Sequence, residues 1–205
     1  MRLLEGPVGQ IDLDAFFSTE LAEHATVVTA THEVLGQPFA ELVRVSVEAI
    51  RQGGKLLLFG NGGSAADAQH LATELTVRYV TDRDPIPAIA LTTDTSALTA
   101  IGNDLGFDQL FARQVRALGR AGDVAVGIST SGRSRNVILA LQAAREMALV
   151  PAALSGGDGG DLKGLAAPLL IVPSTTTARI QEMHITLGQM LCGALEQALG
   201  LVETP

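Results

Sequence analysis

Cysteine is nearly absent. Cys192 stands alone in 205 residues, which excludes an internal disulfide framework and a cysteine-built zinc site. It falls in an apolar helical pattern, where a lone thiol behaves as a small core side chain. Basic residues are also few. Fourteen Lys and Arg against 22 Asp and Glu leave a net charge of −8, which excludes a general nucleic-acid-binding surface. An anionic ligand must then be held by local backbone dipoles rather than by overall charge. Long hydrophobic runs are missing: no uninterrupted apolar stretch approaches the ~20 residues that cross a bilayer, so no membrane association is expected. The start of the chain, 1-MRLLEGPVGQIDLD-14, carries acidic residues where a secretory signal needs its apolar stretch, so a cytoplasmic protein is expected.

What is present is apolar. Residues of this class make up 47% of the chain and charged residues 18%, enough to fill a doubly covered sheet and subunit interfaces. Residues from about Leu13 to Gln52 read as two helices, a hairpin broken near 35-LGQP-38 by Gly and Pro. Its apolar positions, Phe16, Phe17, Leu21, Val27 and Val28, then Phe39, Leu42, Val43 and Val47, recur at helical spacing. The hairpin is expected to pack on the domain or on a sister subunit, with His24 and His32 solvated or structural. From Lys55 the pattern changes to short apolar runs at 55–60, 87–92, 123–129, 150–156 and 168–173, alternating with segments of helical length. Such runs suit strands buried on both faces. The alternation predicts βα units and a five-stranded parallel sheet with right-handed crossovers. A last helix from about Thr176 to Leu199 closes the chain. The fold class is therefore α/β, Rossmann-like or flavodoxin-like, with residues 1–53 as a helical extension for oligomerisation and 54–205 as the sheet domain. Ligands of such sheets bind at the carboxyl ends of the strands.

Three strand-end loops bear on chemistry. In 60-GNGGSAADAQH-70 the glycines allow a tight turn, and the free N–H groups of a helix start attract an anion. The spacing is not the G-x-G-x-x-G of a dinucleotide site. In 128-ISTSGRSRN-136 the hydroxyls of Ser129, Thr130, Ser131 and Ser134 crowd around Gly132, which makes a neutral phosphate cradle with the helix amides. Ordinary N-capping by Ser explains one or two of these residues, not four. The third, 155-SGGDGGDL-162, places Asp158 and Asp161 where they would repel phosphate and reads as a turn and helix cap. In 99-TAIGNDLGFDQLF-111, Asn103 and Asp104 suit sugar hydroxyls and ordinary turn chemistry equally. His70 and Glu74, one turn apart, share a helix face, and the same holds for Gln181 and Gln189 on the last helix.

Taken together, GNGGSAADAQH, the GND at 102–104, GISTSG at 127–132 and 179-RIQEMH-184 resemble the sugar isomerase (SIS) domain, and within it the phosphoheptose isomerases, over nearly the whole chain. The resemblance implies a homotetramer with active sites between subunits. It implies conversion of sedoheptulose 7-phosphate to D-glycero-D-manno-heptose 7-phosphate through an enediolate, in heptose or surface-glycan synthesis such as that of lipopolysaccharide. It also implies substrate contacts from Asn61, Gly62, Gly63, Ser64, His70, Glu74, Asn103, Asp104, Ser129, Thr130, Ser131, Ser134 and Gln181. A zinc ion is implied on His70, Glu74, Gln181 and a histidine eight residues beyond that glutamine.

That histidine is replaced by Gln189. His184, three residues after Gln181, looks like a second histidine of the motif that is not a ligand. Glu74 is the expected base for proton transfer between C1 and C2, and Gln189 stands where the second catalytic group is expected. A neutral amide donates a hydrogen bond to an oxyanion but shuttles no proton near neutral pH and is a poor zinc ligand. Three accounts of Gln189 are open: a variant that keeps isomerase activity with weaker or different metal use, an introduced His→Gln change that traps substrate, or a chain that only binds. The last leads to a different class, a sugar-phosphate-binding SIS protein regulating a partner such as the replication initiator.

Overall fold

The computed structural model describes residues 11–202. Most of the acidic N-terminal stretch that argues against export lies outside them. In order, the elements are α1 (Leu13–Arg51), β1 (Leu56–Gly60), α2 (Gly63–Thr76), β2 (Ala88–Ala90), α3 (Thr95–Asp104), α4 (Leu110–Leu118), β3 (Val124–Ser129), α5 (Arg135–Glu146), β4 (Val150–Gly156), β5 (Leu169–Val172) and α6 (Thr177–Ala198). The five strands form one sheet in the order β2-β1-β3-β4-β5, and all its pairings are parallel. This is the architecture expected from the sequence.

The strands split their side chains between two cores. Leu56 and Leu58 of β1 join Leu71 of α2, Val45 of α1 and Leu187 of α6. Leu57 and Phe59 join Leu110 of α4 and Val137 of α5 on the other face. Both faces are therefore covered, which is why every residue of β1 and β3 is buried and why the runs read as continuously apolar. Cys192 is buried in the first core, and burial pushes its thiol up to about 12. Among the described residues, no helix is long and apolar enough to cross a membrane.

The N-terminal extension differs from expectation. It is one 39-residue helix with Pro38 inside it, not a hairpin. An interior proline loses a hydrogen bond and strains the preceding turn, at a cost of about 3 kcal/mol. Against that, Leu35 and Leu42 lie two turns apart on either side of Pro38 and are 5% and 2% exposed, each contributing about 1.5–3 kcal/mol by burial. The buried stripe of Val27, Thr31, Leu35, Leu42, Val45 and Ala49 runs unbroken along α6 and β5, and packing outweighs local propensity. The first turns are different: Phe16, Phe17 and Leu21 are exposed.

Because the chain passes from edge strand β2 back across β1 to β3, the strand order reverses between β1 and β3. The carboxyl ends of β1 and β3, with the β1–α2 and β3–α5 loops, are where ligands of such sheets bind.

Candidate active site

Two asparagines tie these loops together. Asn61 Nδ2 donates to Asn136 Oδ1 at 2.9 Å, and Asn136 Nδ2 donates back to Asn61 Oδ1 at 2.8 Å. Asn136 was not singled out in the sequence; it lies in the first turn of α5, and no local spacing marks a partner 75 residues away. In the β3–α5 loop, Ser129 is buried and its hydroxyl lies 3.0 Å from that of Ser134. Ser134 occupies the N-cap position of α5 yet makes no capping hydrogen bond, so ordinary capping does not account for it. Ser131 Oγ accepts from the Arg133 amide at 3.2 Å, and Thr130 is half-buried. Ser64 is buried under the β1–α2 loop against Gly60.

α2 and α6 run side by side in the same direction. Gly63 meets Gln181 and, about two turns further along, Leu71 meets Gly188 and its neighbour His70 meets Gln189. Glycine favours close approach at the second crossing, where a Cβ on Gly188 would stand 2.5 Å from Leu71 Cδ1 and 3.1 Å from its Cγ. Gly62 precedes the first crossing as the α2 N-cap. The pairing brings three expected residues into one cluster. Gln189 Nε2 lies 2.8 Å from His70 Nε2. Glu74 Oε1 lies 3.1 Å from the same nitrogen, placed to accept a proton from it. Asp67, not singled out in the sequence, stands between Gly63 and His70 on this helix face, and partial burial raises its carboxyl above the ordinary range while His70 opposes the shift.

Within 179-RIQEMH-184, Gln181 is the residue at the helix contact and the other polar side chains are structural. Arg179 Nη1 donates to Glu20 O at 2.8 Å and Arg179 Nη2 to Glu182 at 2.6 Å. Glu182 also pairs with His24 at 2.7 Å. His184 is fully buried and donates from Nε2 to Ser155 O at 3.0 Å. Burial lowers its pKa to about 4, so it is neutral and turned into the core, as expected for a histidine that is not a ligand. Asn103 and Asp104 end α3, exposed and bonded to each other at 2.7 Å. Among the described residues, no hydrogen bond joins that pair to the two loops.

The four side chains implied for zinc do not fit it well. They offer one imidazole, one carboxylate and two neutral amides. Zinc sites draw on imidazole, thiolate and carboxylate, and among the described residues no three His, Cys, Asp or Glu side chains form a metal-binding group.

At the ends of β3, β4 and β5 lies a cleft of about 340 Å³. Thr130 and Ser131 line one side, and Gly156, Gly157, Thr175 and Thr177 line the others. As expected, the third loop is a turn, with a 3₁₀ segment at Gly160–Leu162. Asp158 accepts there from the Gly160 amide at 3.0 Å.

Residues 21–156 match the model of the SIS domain family. A phosphoheptose isomerase of Paramagnetospirillum magneticum is 56% identical over 181 residues, covering 88% of this chain and 94% of that one. The solved structure of a phosphoheptose isomerase from Neisseria gonorrhoeae superposes with a TM-score of 0.85 at 47% identity, over 90% of this chain and 99% of that one. One from Francisella tularensis gives 0.87 at 36% identity, over 92% and 100%. The chain belongs to the SIS domain family, among its phosphoheptose isomerases.

Proposed function

We propose that this protein is an aldose–ketose isomerase acting on sedoheptulose 7-phosphate. The observation that carries the reading is the cluster of Glu74, His70 and Gln189 where α2 meets α6, in a chain that also carries a loop rich in hydroxyls at the start of α5. The phosphate is held by Ser129, Thr130, Ser131 and Ser134 with the N-terminal amides of α5, and the sugar extends toward α2 and α6. Asn61 and Gln181 orient it from the two helix starts, and Asn103 and Asp104 take sugar hydroxyls.

Glu74 removes a proton from C1 of the ketose to leave a cis-enediolate, and returns it at C2 to give the aldose. Between these steps a proton passes from O1 to O2. His70, whose Nε2 lies 3.1 Å from Glu74 Oε1, carries that proton. Gln189 stabilises the oxyanion by donating a hydrogen bond. No step passes through zinc; the chain as it stands holds that ion weakly on His70 and Glu74, with Gln181 and Gln189 adding only amide oxygens. The regulatory alternative, a binder of the replication initiator, has no need of this cluster, and the names of the relatives do not favour it.

The finer picture is a cytoplasmic homotetramer with active sites between subunits, supplying heptose for lipopolysaccharide or another surface glycan. The exposed Phe16, Phe17 and Leu21 on α1 support assembly through residues 1–53. The test is turnover of sedoheptulose 7-phosphate in deuterated water, following deuterium at C2 of the product. Glu74→Gln is expected to slow turnover and exchange together by at least about 10²-fold. Exchange at the wild-type rate in that variant rules Glu74 out as the base.

A further inference from the structure

Arg133 is the one basic side chain among the described residues lining the cleft, and the chemistry above leaves it unused. Its guanidinium donates from Nη2 to Asp158 Oδ2 at 2.6 Å and from Nη1 to Ser131 O at 3.0 Å. That bond and the Gly160 amide hold the Asp158 carboxyl down to about 2. Both side chains are more than half exposed, at 55% and 63%, so the pair contributes little and opens readily. The backbone beneath it is fixed. The Asp161 amide donates to Gly132 O at 3.0 Å, and Gly132 lies so close to Gly159 and Gly160 that no Cβ would fit. Opening the pair therefore moves side chains and not loops.

We infer that Arg133 is a displaceable phosphate clamp: Asp158 holds it across the mouth of the cleft until a phosphate dianion, seated at Thr130 and Ser131, takes the guanidinium away. The inference rests on the sugar-phosphate reading of this site and adds what its neutral cradle lacks, a cation in a protein of net charge −8. A guanidinium fits phosphate with two parallel hydrogen bonds. A dianion outcompetes a single carboxylate for it. An unphosphorylated sugar has nothing with which to displace Asp158, so the pair also discriminates against neutral sugars.

The experiment is calorimetric titration of inorganic phosphate and of sedoheptulose 7-phosphate into wild type, Arg133→Gln, Asp158→Asn, the double variant and Arg133→Lys, with KM and kcat measured in parallel. The exposure of both side chains makes misfolding no obstacle. Arg133→Gln is expected to weaken phosphate at least about tenfold, as loss of a charge-assisted bond does. Asp158→Asn is expected to tighten it several-fold, and Arg133→Lys to restore part of the affinity. The changes fall mainly on KM. In the double variant the gain from Asp158→Asn disappears, because the competitor no longer has anything to hold. Two results overturn the clamp: wild-type phosphate affinity in Arg133→Gln, or an Asp158→Asn gain that persists without Arg133, which is plain repulsion. If phosphate binding follows the expected pattern while no variant turns over the sugar, the isomerase reading fails and the clamp stands. If no variant binds phosphate, both fall.

Discussion

Replacing Gly188 with alanine tests how far the active-site cluster depends on the α2–α6 contact. A Cβ there would stand 2.5 and 2.7 Å from the two Leu71 Cδ atoms and 3.1 Å from Cγ. Carbon atoms sit at about 3.5–4.0 Å, so about 1 Å of space must be found. Leu71 is only 2% exposed and is enclosed by the first core, which leaves separation of the helices as the way out. The 2.8 Å bond from Gln189 to His70 then stretches to about 3.8 Å, beyond hydrogen-bonding range. A misplacement of about 1 Å in a catalytic constellation costs on the order of 10²-fold in rate. Stability suffers less: overpacking costs about 1–3 kcal/mol, and alanine returns about 1 kcal/mol of helix propensity. The net loss of about 0–2 kcal/mol lowers the melting temperature by no more than about 8 °C in a domain of this size. The assay is kcat/KM for sedoheptulose 7-phosphate beside a thermal melt, with Gly188→Ala/Leu71→Ala as the control. The second change empties the space that the new methyl needs, so activity is expected to return although stability falls by a further ~2–5 kcal/mol. Wild-type kcat/KM in Gly188→Ala refutes the reasoning, and so does a double variant as slow as the single one.

Two stability predictions follow from buried groups. Burial lowers the pKa of His184 to about 4 from an ordinary 6.5, so between these values the unfolded chain binds a proton that the folded chain refuses. Its contribution is complete above pH 6.5 and is lost as pH falls toward 4, on the order of 3 kcal/mol in all; urea unfolding at pH 7 and pH 5 measures it, and His184→Gln is expected to flatten that difference. Arg83 pairs with Glu196 at 2.8 Å, both nearly fully buried, and also donates to Leu75 O and Glu74 O, each at 2.8 Å. Arg83→Met strands the Glu196 carboxylate and is expected to cost about 3–5 kcal/mol by the same unfolding measurement.

The sheet was legible because strands covered on both faces have no polar side to hide, and five such runs sit between segments of helical length. Edge strand β2 came out shorter than its apolar run, Ala88–Ala90 within 87–92, since it pairs on one side only. The continuity of α1 was not legible. Pro38 is a local signal, whereas the burial that overrides it comes from α6 and β5, more than 120 residues away in the chain. At the site, the His70/Glu74 pairing could be read from helical spacing, and the hydroxyl loop from composition. The partnerships of Asn61 with Asn136, Gln189 with His70 and Arg133 with Asp158 could not, because each joins elements that only the fold brings together. Asp158 illustrates the consequence: read alone it repels phosphate, but bonded to Arg133 it holds a cation at the cleft.

The most direct measurement is a coupled turnover assay with sedoheptulose 7-phosphate on the chain as it stands and on Gln189→His, each with added zinc and with a chelator, alongside zinc binding by competition. The account predicts that the present chain turns over and that chelation leaves its rate unchanged. It also predicts that Gln189→His, with a second imidazole beside His70 and Glu74, binds zinc at least about tenfold more tightly. A present chain that is inactive until Gln189 becomes histidine and zinc is added would contradict the account, leaving a chain that holds its sugar phosphate without converting it.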